Sequence, residues 1–102
     1  MATIISIFCN AGMSTSIMVK KMQESAAKRS IDVKITAYPF VEINAIGEKS
    51  DIILLGPQMG FEEKRIKGLF DPKNIPVAVI PMIDYGMLNG EKVLDFALKL
   101  KK

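Results

Sequence analysis

The sequence predicts an α/β fold, a single open four-stranded parallel sheet in the order 2-1-3-4 with helices on both faces. Three observations lead there. Short β-branched runs alternate with stretches of helical periodicity along the whole chain. The first and third runs are apolar on both faces, as central parallel strands are, whereas the second alternates with polar residues. A length of 102 residues suits one compact unit, so a single domain spanning 1–102 is expected.

Ile4 to Phe8 reads as a strand buried on both sides. Cys9 to Ser16 reads as a small polar turn containing Gly12. From Ile17 the pattern becomes helical, with Met18, Met22 and Ala26 inward and Lys20, Lys21, Glu24 and Lys28 outward. Ile31, Val33 and Ile35 alternate with Asp32, Lys34 and Thr36, which predicts an edge strand with one wet face. Pro39 opens a short helical segment around Val41 to Ile46 that stops at Gly47.

Ile52 to Leu55 is a third, buried strand ending at Gly56-Pro57. A helix from Gln58 to Phe70 is expected next, with Met59, Ile66, Leu69 and Phe70 inward. Pro76 to Pro81 forms a fourth strand, and its bracketing prolines suit an outer position. Met82 to Leu88 reads as a loop. Asn89 then caps a last helix with Val93, Leu94, Ala97, Leu98 and the stem of Lys101 inward. In this strand order the topological switch point lies beside the end of strand 1, where open α/β sheets bind ligands. Cys9 falls at that point.

Composition excludes several kinds of chemistry. The chain has no histidine, which removes Ser-His-Asp triads, Cys-His dyads and histidine metal sites together. With a single cysteine no internal disulfide forms, and neither a metal nor a cofactor is called for. The net charge of +3 is mild and the cations are scattered, so nucleic acid is not an expected partner. No apolar run approaches the length of a membrane span, and Met1 to Ile4 lacks the basic start of a secretory signal. A cytoplasmic protein without membrane insertion is expected.

The chemistry therefore rests on Cys9. Backbone N–H groups in a first helical turn have no intrahelical acceptor, and with the helix dipole they form an anion site. Asn10, Ala11, Gly12 and Met13 lead into the hydroxyl residues Ser14, Thr15 and Ser16, all able to cap a helix or donate to a phosphate. The same donors stabilise a thiolate, which is the nucleophilic form of cysteine. A phosphoryl group on the sulfur would place its oxygens among them, and phosphoryl transfer depends on such positioning and charge stabilisation.

Two other uses of such a loop stay open. Low-molecular-weight tyrosine phosphatases place C-x5-R in a similar loop, but here the arginine's position is taken by Thr15. A flavodoxin-like binding module is compatible with the fold alone, which is weak ground. Neither G-x-x-x-x-G-K-[ST] nor G-x-G-x-x-G occurs.

Cys9-Asn10-Ala11-Gly12-Met13-Ser14-Thr15-Ser16 closely resembles the loop of enzyme IIB in the lactose/cellobiose (lactose-N,N'-diacetylchitobiose-β-glucoside) branch of the sugar phosphotransferase system. Leu54-Leu55-Gly56-Pro57-Gln58 and Tyr85-Gly86 extend the likeness over nearly the whole chain. The resemblance implies that Cys9 takes a phosphoryl group from a phosphohistidine on enzyme IIA. It would then pass the group to a sugar, typically a β-linked disaccharide, held by the membrane permease IIC. Association with the membrane would then be peripheral, through that permease. Around Cys9 a fairly apolar rim should exclude water during transfer, with Ala11, Met13, Met59, Phe61, Met82 and Tyr85 as candidates. Met59 suits core packing better, and Gln58 either donates to the phosphate or starts its helix.

Overall fold

The computed structural model describes residues 2–9 and 12–100. The strands are β1 (Thr3–Cys9), β2 (Val33–Pro39), β3 (Ile52–Leu55) and β4 (Val77–Val79). They form one four-stranded sheet in the order β2-β1-β3-β4, parallel throughout. This is the expected topology, and its cause is visible in burial. Ile5, Ile7, Phe8 and every residue of β3 are buried, while β2 keeps Lys34 and Pro39 exposed. The sheet order thus places the most apolar runs where both faces are covered.

Helices α1 (Gly12–Lys28) and α5 (Gly90–Leu100) cover one face. There Met18, Met22, Val93, Leu94 and Ala97 pack with Ile5, Ile7, Ile52 and Leu54. The other face is covered by α2 (Ile43–Gly47) and α3 (Glu63–Phe70), whose Ile43, Ile66 and Phe70 pack on Phe8, Ile53, Leu55 and Val77. Each fully buried Ile or Leu contributes roughly 1.5–3 kcal/mol to this arrangement. At Gly90 the two helices of the first face meet backbone to backbone. A Cβ there would lie 2.5 Å from the Lys21 carbonyl carbon and 2.6 Å from the Met22 nitrogen. Only glycine permits that approach.

Several boundaries differ from the sequence expectation. Helix α1 begins at Gly12, not Ile17, so Thr15 and Ser16 lie within the helix rather than in a turn. Thr15 is buried one turn before Met18 and extends the inward row of Met18, Met22 and Ala26 toward Cys9. The helix expected over 58–70 is divided into a 3₁₀ segment, Pro57–Glu62, and α3. The tighter turn of the first part shifts the phase of the second, which turns Leu69 to solvent instead of inward. The segment after β4 is not all loop, since Met82–Gly86 forms a short helix, α4, after Pro81. Strand β4 is shorter than the stretch between its flanking prolines, although the Ile80 N–H still donates to the Leu55 carbonyl at 2.9 Å. The proposed cap is present, with the Lys92 backbone N–H donating to Asn89 Oδ1 at 3.2 Å. Lys101 lies outside the described residues.

Candidate functional site

Cys9 is the last residue of β1, at the level of Pro39 on one neighbouring strand and just beyond Leu55 on the other. The chain after β1 leads to β2 on one side, whereas β3 lies on the opposite side. By the switch-point rule, the crevice where such sheets bind ligands falls at Cys9. The Gly56 backbone N–H donates to the Phe8 carbonyl at 2.9 Å and carries the chain directly past the thiol. A Cβ on Gly56 would lie 3.0 Å from Cys9 Sγ and 2.7 Å from Gln58 Oε1.

The thiol donates to Gln58 Oε1 at 3.4 Å. Cys9 itself is 4% exposed, whereas Gln58 is exposed. A flexible surface side chain is thus the group lying on the sulfur. Its amide can present oxygen to a thiol or, after rotation, its NH₂ to an anion.

Helix α1 opens three positions after Cys9, at Gly12. Asn10 and Ala11, and the side chains of Gly12, Met13 and Ser14, lie outside the described residues. Ser16 is exposed. Thr15 is buried, and its Oγ1 forms a 2.9 Å hydrogen bond with the Tyr85 hydroxyl. Tyr85, expected on the rim, is instead buried against the core under the first face, with its hydroxyl turned toward α1.

Neither arginine serves the site as a phosphatase arginine would. Arg29 is paired with Asp95 at 2.7 Å and Arg65 with Glu62 at 2.7 Å. Among the described residues no group of three or more His, Cys, Asp or Glu side chains could hold a metal ion, and no helix is long and apolar enough to cross a membrane.

The rim is apolar. Phe61 and Met82 are exposed as expected, while Met59 is buried in the core. Val41, Ile83 and Met87 are also exposed and were not anticipated from the sequence. All five exposed residues lie in the segments that follow the carboxyl ends of β2, β3 or β4. Their positions just after strand ends were the available signal. Gly56 was passed over as a functional position because its importance lies in an approach of backbone to sulfur.

Fold and site together define a small parallel α/β protein with one thiol at the switch point of its sheet. A family model described as PTS system, Lactose/Cellobiose specific IIB subunit matches residues 4–96. The chain belongs to this family.

Relatives agree with the assignment. The PTS system galactose-specific EIIB component of Lactococcus lactis subsp. cremoris is 39% identical over 102 residues, covering 95% of this chain and 94% of that one. The PTS system cellobiose-specific EIIB component of Lactococcus lactis subsp. lactis is 39% identical with the same coverage. The PTS system oligo-beta-mannoside-specific EIIB component of Bacillus subtilis is 38% identical over 96 residues, covering 94% of this chain and 93% of that one.

Among solved structures, the cellobiose-specific phosphotransferase IIB component protein of Borrelia burgdorferi superposes with a TM-score of 0.81 at 37% identity, covering 98% of this chain and 92% of that one. The lactose-specific IIB component domain of Streptococcus pneumoniae superposes with a TM-score of 0.90 over the whole of both chains. At 17% identity that likeness speaks for the fold alone.

Proposed function

We propose that the chain is a phosphoryl relay of the phosphoenolpyruvate-dependent sugar phosphotransferase system, with Cys9 as its phosphocysteine intermediate. Residues 1–102 would act as one IIB domain in the cytoplasm, docking on a permease at the membrane. The observation that carries the reading is the placement of Cys9. Its sulfur lies at the switch point, with an exposed Gln58 on it and a helix N-terminus three positions on.

In the first transfer the Cys9 thiolate attacks the phosphorus of a phosphohistidine on enzyme IIA. The S–P bond forms as the N–P bond breaks, and the electron pair returns to the imidazole nitrogen. Gln58 swings from the sulfur to admit the donor. The phosphoryl oxygens then settle among the backbone amides from Asn10 to Ser16, where the helix dipole favours negative charge. In the second transfer a hydroxyl of the sugar held by permease IIC attacks phosphorus. The O–P bond forms, the S–P bond breaks, and the hydroxyl proton leaves to solvent or a base.

The sequence from Asn10 to Ser16 holds no lysine or arginine to grip the phosphate, which suits a group that must be released as readily as accepted. Both protein partners must reach the same sulfur, and the apolar rim of Val41, Phe61, Met82, Ile83 and Met87 suits successive docking that excludes water. Relatives named for cellobiose and oligo-beta-mannoside support a β-linked disaccharide or oligosaccharide as the class of sugar, while another is named for galactose.

The test is incubation with phosphorylated enzyme IIA followed by mass-spectrometric mapping. A phosphate adduct is expected on Cys9. Phosphate elsewhere, or none, overturns the proposal. Cys9→Ser should abolish sugar phosphorylation while the far-UV spectrum and urea midpoint stay close to wild type, because the change is nearly isosteric.

A further inference from the structure

We propose that Tyr85 is a positioning residue for phosphoryl transfer, acting through Thr15 to fix the first turn of α1 against the end of β1. The proposal rests on the relay reading above and adds a component to it.

Tyr85 and Thr15 are 70 positions apart, yet their hydroxyl oxygens meet at 2.9 Å in the interior. Both residues are buried, Thr15 at 1% exposure and Tyr85 at 8%. The tyrosine is a firm anchor. Its ring belongs to the cluster containing Ile7, Met18, Leu54, Ile80 and Leu94. The Tyr85 backbone N–H donates to the Pro81 carbonyl at 3.0 Å, and its own carbonyl accepts from the Leu88 N–H at 3.1 Å. The phenol oxygen therefore cannot drift without moving the core.

Thr15 is the fourth residue of α1, so it closes the turn whose amides would receive the phosphoryl oxygens. An apolar pair could fill the same space without desolvating two hydroxyls. What the polar pair adds is direction, since a hydrogen bond restrains both separation and angle. The strut joins the segment after β4 to the helix after β1 and so ties two sides of the crevice together. Transfer rates are sensitive to small misplacements of the groups around phosphorus.

Tyr85→Phe removes one oxygen and leaves the ring in place. Single-turnover transfer from phosphorylated enzyme IIA to Cys9 should fall roughly 10- to 100-fold in its maximal rate. The donor concentration giving half the maximal rate should not change, because docking is untouched. Thr15→Val should have the same effect, the double variant should be no slower than either alone, and Thr15→Ser should recover most of the loss. Amide hydrogen exchange in the unphosphorylated protein should quicken over residues 16–19, whose N–H groups bond the carbonyls of that first turn, and stay unchanged in α5.

Wild-type transfer by Tyr85→Phe, a loss that merely tracks a lowered unfolding midpoint, or unchanged exchange over residues 16–19 overturns the proposal. If the wild-type protein itself takes no phosphate on Cys9, the relay reading fails, and the exchange measurement still decides whether Tyr85 holds the first turn.

Discussion

Gly56 and Cys9 are packed so closely that a single methyl group on Gly56 would come within 3.0 Å of the thiol sulfur. The backbone after β3 is in effect one wall of the crevice, and the sulfur leans on it.

Gly56→Ala should therefore affect the site more than the fold. The added carbon also meets Gln58 Oε1 at 2.7 Å, so the cover and the sulfur must both shift. Overpacking of this kind costs about 1–3 kcal/mol. The expected outcome is a folded protein with a modestly lowered urea midpoint and a far larger loss in phosphoryl uptake by Cys9. Uptake at the wild-type rate would show that the contact has no functional consequence.

Strand identity and order were legible in the sequence because Ile4 to Phe8 and Ile52 to Leu55 have no polar face to offer solvent, whereas Lys34 and Thr36 do. The position of Cys9 at the switch point followed from that order. The start of α1 was not legible. Gly12 and three hydroxyl residues are poor helix formers, and tertiary packing of Thr15 in line with Met18 and Met22 overrides their preference. Helix α4 was missed because five residues after a proline carry too little periodicity to be read. Tyr85 was misplaced to the rim for the same reason. The phase of a short helix, which no pattern reveals, decides whether its ring faces in or out.

The end of α1 yields a prediction about stability. Ser30 adopts a left-handed conformation, with φ of 54°. The Ile31 N–H bonds the Ala26 carbonyl at 2.9 Å and the Ser30 N–H bonds that of Ala27 at 3.3 Å, the paired bonds of a Schellman cap. Glycine is the residue that this position favours. Ser30→Gly should raise stability by about 0.5–1 kcal/mol, read as a higher urea midpoint with an unchanged slope. A lower midpoint would mean that the serine contributes something beyond its backbone shape.

The surface pair Glu48–Lys73 gives a pH dependence. The hydrogen bond from Lys73, followed by its charge, holds the Glu48 carboxyl below its usual value of 4.5. A carboxyl lowered in the folded state stabilises the fold above its unfolded value, and that contribution disappears as pH falls through the lower folded value. Glu48→Gln should therefore lower the urea midpoint slightly at neutral pH and have no effect well below pH 4.5. High salt at neutral pH should also shrink the difference, because both groups are exposed. A difference that persists in acid would point to packing rather than charge.

The two poles of the molecule differ in a way that matters at the bench. Val41, Phe61, Met82, Ile83 and Met87 lie in segments that follow the carboxyl ends of strands, the ends that carry the thiol, whereas Glu48 and Lys73 lie just ahead of β3 and β4. A fluorophore or surface tether attached near Glu48 or Lys73 would leave the greasy end pointing away from its support. Immobilised in that orientation, the chain would offer every incoming protein the same approach.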